Sequence, residues 1–216
     1  MNDQNSNEWK RERLGRVTAS RFSDVMAGPK SAAYLSYARQ LRTEHLLLKR
    51  IEAGEEIPLE PDFYSAATAW GKKHEPVARS EYEWMNDCNV IVPPFTVHPD
   101  FNYAGASADG VVKEINIGLE AKCPFNQQVH ANTLLHGMPD DHIPQVQGGI
   151  WVYRLDAWDF VSFDPRRTDA GRYHQQRIER DERYIAAVEK AVKDFWLFVM
   201  SGEEIPKTHE SVPTLF

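Results

Sequence analysis

The chain has 216 residues, of which 42% are hydrophobic and 26% are charged, and its formal net charge at pH 7 is −7. This composition is typical of a soluble globular protein with one large domain or two small ones. An acidic chain is not a general DNA-coating protein, although a small basic region can still contact nucleic acid if metal ions help to neutralise phosphate. The chain contains no run of about 18 apolar residues, so no membrane span is predicted. The polar first residues do not resemble a signal peptide. We therefore expect a cytoplasmic protein.

The N-terminal half is predicted to be mainly helical. Residues 1–8 are polar and are expected to be flexible. The stretch 18–29, TASRFSDVMAGP, begins with capping residues and ends with Gly-Pro, which predicts a short helix. Apolar residues at helical spacing predict longer helices over about 32–51 and 62–85, the second interrupted or bent near Pro76.

The remainder of the chain mixes strand and helix patterns. Alternating or continuous apolar runs rich in β-branched residues or glycine predict strands over 89–99, 103–112, 116–123, 157–164 and 173–180. Helical patterns cover about 126–135, 143–153 and 181–200. No linker divides the chain, so we predict one α/β domain over residues 1–216, with a central mixed β-sheet flanked by helices.

Two cysteines, Cys88 and Cys123, are too few for a disulfide framework, and no metal-type Cys/His spacing surrounds them. We interpret both as small core or strand residues.

The octapeptide GLEAKCPF, residues 118–125, places two opposite charges inside a predicted strand. Residues two apart point to the same face of a strand, so Glu120 and Lys122 share one face while Leu119 and Ala121 share the other. The charged face is either a solvated ion pair at a sheet edge or a functional site, and the octapeptide alone leaves both interpretations open.

A second carboxylate, Asp109, lies eleven positions before Glu120 and beside Gly110. Two strands joined by a turn of that length can bring both carboxylates together as a hard oxygen site for Mg²⁺ or Mn²⁺, with Lys122 at the same opening. Such a group is equipped for metal-assisted hydrolysis of a phosphodiester. Glycoside hydrolysis also uses paired carboxylates, but it explains the lysine less well.

The order Asp, Glu-x-Lys resembles the PD-(D/E)xK nuclease superfamily, with ADG at 108–110, EAK at 120–122 and Ala108 in place of the usual proline. Further motifs follow in order: WKRERLGRVTAS (9–20), AWGKKHEPVARSEYE (69–83), QVQGGIWVYRLDAWDFVSFDPR (145–166) and IERDERYIA (178–186). Together they resemble the lambda-exonuclease-like branch of that superfamily, the viral alkaline exonucleases or YqaJ-like recombinases.

This resemblance implies a restriction-endonuclease-like core and a specific activity. Such enzymes digest one strand of linear double-stranded DNA from 5′ to 3′ with Mg²⁺, leaving 3′ tails for recombination by strand annealing. It also implies a homotrimeric ring, a single-strand annealing protein as partner, and a bacteriophage or prophage origin in a bacterial cell. Mn²⁺ is expected to substitute for Mg²⁺, and two ions are expected in the site.

The resemblance also assigns roles to residues of the acidic group. Asp109 and Glu120 would be metal ligands, the Ala121 carbonyl a further ligand, and Lys122 the group that activates the attacking water.

Two more residues carry over to the active site by resemblance. Glu75 would join the metal site through water, and Gln147 would line the active site. Read without the resemblance, Glu75 is a solvated helix carboxylate beside two lysines, and Gln147 is a buried amide that hydrogen-bonds to backbone.

A pocket for the terminal 5′ phosphate is implied at Arg13, Ser20 and Ser107. Arginine holds phosphate through two parallel donors, which suits this role, although the surrounding basic run is also consistent with a solvated charge cluster. An arginine of the family is replaced by Gln128 here, which weakens the expected preference for 5′-phosphorylated ends.

Three tryptophans, Trp9, Trp70 and Trp151, are candidates either for stacking on bases or for the core. A PD-(D/E)xK endonuclease and a catalytically inactive DNA-end binding module stay open as alternative functions. Digestion of closed circular duplex separates the first from an exonuclease.

Overall fold

A computed structural model of the chain describes residues 6–58 and 65–206. The helices are α1 (Asn7–Arg13), α2 (Phe22–Met26), α3 (Ala32–Glu52), α4 (Ala66–Asn86), α5 (Gln127–His136), α6 (Ile143–Tyr153) and α7 (Glu182–Met200). The strands are β1 (Val17–Thr18), β2 (Thr96–Val97), β3 (Ala104–Ala106), β4 (Gly110–Val112), β5 (Ile117–Lys122), β6 (Ala157–Phe163) and β7 (Tyr173–Glu179).

The strands form two sheets, both of mixed direction. The larger has the order β4-β5-β6-β7, in which β5 and β6 are parallel and the outer pairs are antiparallel. The smaller has the order β1-β3-β2, with β1 parallel and β2 antiparallel to β3. Helices flank the sheets, which confirms the predicted α/β class.

Opposite faces of the larger sheet pack against different helices. Ala78 and Tyr82 of α4 join Leu119, Ala121 and Cys123 in one buried cluster. The other face carries the main core, to which α6, α7 and β6 contribute Ile150, Val188, Val192, Trp158 and Phe160, among others. The end of β5 is therefore covered by α4 on one side and by α6 on the other.

Helix α4 is uninterrupted, although Pro76 lies inside it. It begins where the Ser65 hydroxyl accepts a hydrogen bond from the Thr68 amide at 3.0 Å, a typical N-cap. Near its end, the Tyr82 hydroxyl donates to the buried Asp159 of β6 at 2.7 Å, and Arg177 holds the same carboxylate through two bonds of 2.9 Å. These contacts attach the helix that carries Glu75 to the sheet.

Several sequence predictions need correction. The predicted strand 103–112 is two strands, β3 and β4, in different sheets, because residues 107–109 leave the ladder between them. The predicted strand 89–99 is reduced to β2 and an isolated bridge between Ile91 and Val111. Residues 7 and 8, within the N-terminal segment that was expected to be flexible, begin α1. Residues 1–5 and the predicted start of α4 at 62 lie outside the described residues.

Candidate active site and anion-binding pocket

Asp109 and Glu120 meet at the carboxyl end of β5. Asp109 precedes β4, and its amide donates to the Leu119 carbonyl at 3.1 Å. In return, the Ala121 amide donates to Asp109 Oδ2 at 2.8 Å. These two hydrogen bonds across the β4–β5 pair fix Asp109 beside Ala121, whose carbonyl is a candidate metal ligand.

Glu120 is a nearly buried carboxylate, with 4% of its surface exposed. Its Oε1 accepts a hydrogen bond from Lys122 Nζ and another, at 2.7 Å, from Gln145 Nε2 of α6. The ion pair with Lys122 therefore lies within the site and is not a solvated pair at a sheet edge.

Gln145 is a site residue that the sequence analysis missed. It is the first glutamine of the QVQ motif, whereas the second, Gln147, is the one that was predicted to line the active site. The structure contradicts that prediction for Gln147, whose Nε2 donates to the Glu179 carbonyl at 2.8 Å and whose Oε1 accepts from the Asp181 amide at 3.1 Å. Residues two apart on a helix are about 200° apart around its axis, so only one can face Glu120.

Glu75 approaches the same group from α4. Burial raises its pKa above the usual range, as does repulsion from Glu120, while attraction by Lys122 opposes the shift. Glu75 is half-buried on α4, which fits a position beside the acidic centre better than the solvated-carboxylate interpretation.

The electrostatics of the centre are strongly perturbed. Burial and then repulsion by Glu120 raise the pKa of Asp109 to about 8. Burial opposes the charge on Lys122, but attraction by Glu120 and Asp109 nevertheless raises the pKa of its ammonium group above the ordinary value. All three carboxyl groups thus interact with Lys122, and Arg79 and Lys72 act in addition on Glu75.

The oxygen donors of this centre are of the type that binds Mg²⁺. Two carboxylates beside a backbone carbonyl are oxygen ligands of the type that this cation prefers. The raised pKa of the half-buried Asp109 also indicates a deficit of positive charge that a divalent ion would relieve. Within the described part of the chain, however, no three His, Cys, Asp or Glu side chains converge closely enough to form a complete ligand group.

The residues predicted to hold a terminal phosphate also converge. Arg13 Nη1 donates to the Ser107 hydroxyl at 3.1 Å, and Nη2 lies 3.4 Å from the Ser20 hydroxyl. Trp9 Nε1 donates to the same Ser107 oxygen at 3.0 Å, and the Arg13 guanidinium lies over the Trp9 ring at 4.2 Å. Arg13, Thr18 and Ser20 line a cavity of about 220 Å³.

The environment of Arg13 favours the binding of an anion. Burial lowers the pKa of its guanidinium, because a charged group loses hydration there. Its hydrogen-bond partners are neutral hydroxyl groups, and the carboxylate of Glu44, which lines the same cavity, raises the pKa of the guanidinium against the effect of burial. A phosphate would add negative charge beside the guanidinium and accept two parallel bonds.

The other candidates have different positions. Trp151 is 5% exposed and belongs to the core, which excludes it as a stacking platform. Trp70 is partly buried and carries the Arg166 guanidinium over its ring at 4.6 Å. Gln128 is exposed on α5 and donates to Asn132 at 2.9 Å, so this position adds no positive charge to the protein.

Comparison with known proteins extends these findings. The family model for the YqaJ-like viral recombinase domain matches residues 8–156. The structure is similar to that of LHK-Exo, an alkaline exonuclease from Laribacter hongkongensis, with 33% identity over 91% of this chain and 93% of that chain, and a TM-score of 0.79. The structure of LHK-Exo in complex with dAMP gives the same identity and coverage and a TM-score of 0.80.

Two further similarities are more limited. A phage-related exonuclease from Haemophilus somnus 129PT shares 14% identity over 86% of this chain and 95% of that chain, with a TM-score of 0.55, which shows the fold alone. ExoD of Escherichia coli (strain K12) is 43% identical over 54 residues, which are 25% of this chain and 61% of ExoD.

The mixed sheet and the Asp, Glu-x-Lys centre define a protein of the PD-(D/E)xK fold class. More particularly, the chain belongs to the YqaJ-like viral recombinase domain family. Within residues 6–58 and 65–206, none of the helices combines the length and hydropathy needed to cross a membrane.

Proposed function

We propose that the protein is a Mg²⁺-dependent exonuclease that digests one strand of linear double-stranded DNA from its 5′ end. Family membership and the similarity to LHK-Exo support a nuclease role. The proposal that digestion starts at the 5′ end rests on the short segment of chain that connects the anion-binding pocket to the acidic centre.

That connection is Ser107-Ala108-Asp109. Ser107 belongs to the pocket through its bonds to Arg13 and Trp9, and Asp109 belongs to the acidic centre through its bond to Ala121. Two residues of chain span at most about 7 Å, so a terminal phosphate held by Arg13 lies close to the carboxylates. Cleavage would then be measured from the 5′ end, which favours an exonuclease over an endonuclease.

The side chains have separable roles in such a reaction. Mg²⁺, when bound, polarises the scissile phosphate and lowers the pKa of the attacking water. Asp109, Glu120 and the Ala121 carbonyl are the groups that would hold the ion, and Glu75 would reach it through water. Lys122 orients the attacking water and, as an ammonium ion, stabilises the negative charge that develops on phosphate.

Gln145 positions one of these ligands. Its amide and the Lys122 ammonium both donate to Glu120 Oε1, so this oxygen is held from α6 and from β5 together. Neither donor engages the other oxygen, Oε2, through which Glu120 would help to hold a metal ion.

The proposal extends to cofactors and partners. The dAMP complex of LHK-Exo supports a nucleotide site in the family fold. By resemblance we further propose that Mn²⁺ replaces Mg²⁺ and that two ions bind. The same resemblance supports a homotrimeric ring that works with a single-strand annealing protein in the bacterial cytoplasm, encoded by a bacteriophage or prophage. Light scattering of the purified protein tests the trimer directly.

Digestion of linear duplex labelled separately at each 5′ and 3′ terminus, with and without Mg²⁺, tests the reaction. We expect early release of the 5′ label as mononucleotide, late release of the 3′ label, and no attack on covalently closed circles. Cleavage of closed circles would identify an endonuclease. DNA binding without cleavage in Mg²⁺ or Mn²⁺ would identify an inactive end-binding module.

A further inference from the structure

Phe125 is a large apolar side chain presented to solvent beside the acidic centre. It follows β5 by three residues, and 50% of its surface is exposed. Single exposed apolar side chains are common on protein surfaces, so exposure alone does not indicate a role. The contacts that hold Phe125 in place distinguish it.

The backbone of Phe125 is fixed by an arginine. Arg166 Nη1 donates to the Phe125 carbonyl at 2.9 Å, and Nη2 donates to the Pro124 carbonyl at 3.2 Å. Arg166 is itself held by the buried carboxylate of Asp164 through bonds of 2.7 and 2.9 Å. The charge of the guanidinium is therefore paired with Asp164, and its N–H groups hold the segment after β5 in place.

The ring of Phe125 packs against an aromatic side chain of α4. Trp70 of α4 meets it edge to face, with the ring centroids 6.0 Å apart and an interplanar angle of 75°. Trp70 itself contacts His74 at 4.2 Å and carries Arg166 over its ring at 4.6 Å. Of the two aromatic side chains, Phe125 is the more exposed, since Trp70 is half-buried.

We propose that Phe125 stacks on a nucleobase of the DNA end that enters the active site. This inference rests on the proposed nuclease function and adds a base-contacting residue to it. Lys122 is three residues away, so the ring lies within one or two nucleotides of the site of cleavage. Stacking on a base suits an exposed aromatic ring that is already immobilised, since little conformational freedom is lost on binding, and it tolerates any base sequence.

A duplex with a 5′ phosphate and 2-aminopurine as its first or second base tests the inference. Binding is measured in Ca²⁺, which should support binding without turnover, by the change in 2-aminopurine fluorescence. We expect Phe125→Ala to lose the fluorescence change seen with the wild-type chain and to weaken binding by about 5- to 100-fold, the range of base–aromatic stacking. Phe125→Leu should also lose the signal because it keeps apolar bulk without a ring, whereas Phe125→Tyr should retain it.

Trp84→Ala is the matched control, since Trp84 is a 78% exposed aromatic residue near the far end of α4. Its affinity for the DNA and its change in 2-aminopurine fluorescence should equal those of the wild-type chain. Wild-type signal and affinity in Phe125→Ala, or an equal loss in Trp84→Ala, would overturn the inference. Failure of the wild-type chain to bind DNA ends at all would instead overturn the proposed function on which it rests.

Discussion

Asp109 is bonded through its side chain to the backbone amide of Ala121, at 2.8 Å, across the β4–β5 pair. This bond places a carboxylate that precedes one strand at the end of the next, where Glu120 and Lys122 lie. The predictions below test the roles that follow from this arrangement.

Replacement of Lys122 separates chemistry from binding. We expect Lys122→Ala to lower the cleavage rate by about 10²- to 10⁴-fold, because the group that orients water and stabilises charge is gone. DNA binding should persist. Lys113→Ala is the control, since Lys113 follows β4 at the opposite end of the same hairpin, about 16 Å along the strand. Single-turnover rates of both variants give the comparison, and normal cutting by Lys122→Ala would remove the active-site assignment.

Replacement of the two glutamines of the QVQ motif should have different effects, one on the cleavage rate and the other on stability. Gln145→Ala removes a donor to Glu120 and is expected to lower the cleavage rate with little change in stability, because the side chain lies at the site. Gln147→Ala removes two buried bonds to the β7–α7 connection and should lower the free energy of unfolding by about 1–3 kcal/mol. Urea denaturation and kinetics on both variants test this, and the reverse pattern would restore Gln147 to the site.

The raised pKa of Asp109 predicts a pH-dependent stability in EDTA. The unfolded residue ionises near pH 3.8, whereas the folded residue keeps its proton up to about pH 8. The folded state therefore binds more protons between these values, and the free energy of unfolding falls as the pH rises through this window. Asp109→Asn should reduce that fall by about 1 kcal/mol or more, measured by denaturation at pH 5 and pH 8.5. Parallel curves for both proteins would contradict the assignment.

Metal replacement should distinguish binding from turnover. EDTA is expected to abolish cleavage, and Mg²⁺ or Mn²⁺ should restore it. Ca²⁺ should support DNA binding without turnover, because its looser coordination positions the attacking water poorly. Filter binding and cleavage assays in each ion measure the two properties separately. Full activity in Ca²⁺ alone would be inconsistent with the proposed mechanism.

Loss of Arg13 should affect phosphorylated ends most. Arg13→Ala removes the half-buried cation that contacts Ser107 and Ser20, and we expect digestion of 5′-phosphorylated duplex to slow by about 10-fold or more. Duplex with a 5′ hydroxyl should be affected less. Arg11→Ala is the control, because Arg11 lies on the same helix and is exposed. Equal slowing on both substrates would remove the pocket assignment.

Much of the fold followed from local patterns. Helices α3, α5, α6 and α7 and strands β5, β6 and β7 begin and end within one or two residues of their predicted bounds, because each has a strong apolar period and clear flanking residues. The short strands β2, β3 and β4 were merged or extended in the prediction. Their division between two sheets depends on pairing with distant strands, which no local pattern records.

The candidate site divides in the same way. Sequence order and residue chemistry by themselves selected Asp109, Glu120 and Lys122 as a candidate group, since strand periodicity places the last two on one face. The assignments of Glu75, Arg13, Ser20 and Ser107 came from motif resemblance. Only the tertiary structure decided that Gln145 and not Gln147 contacts Glu120, and that Phe125 is clamped beside Lys122. The reason is that such contacts depend on the rotation of a helix about its axis and on the approach of separate chain segments, and neither is encoded in the spacing of residues along one segment.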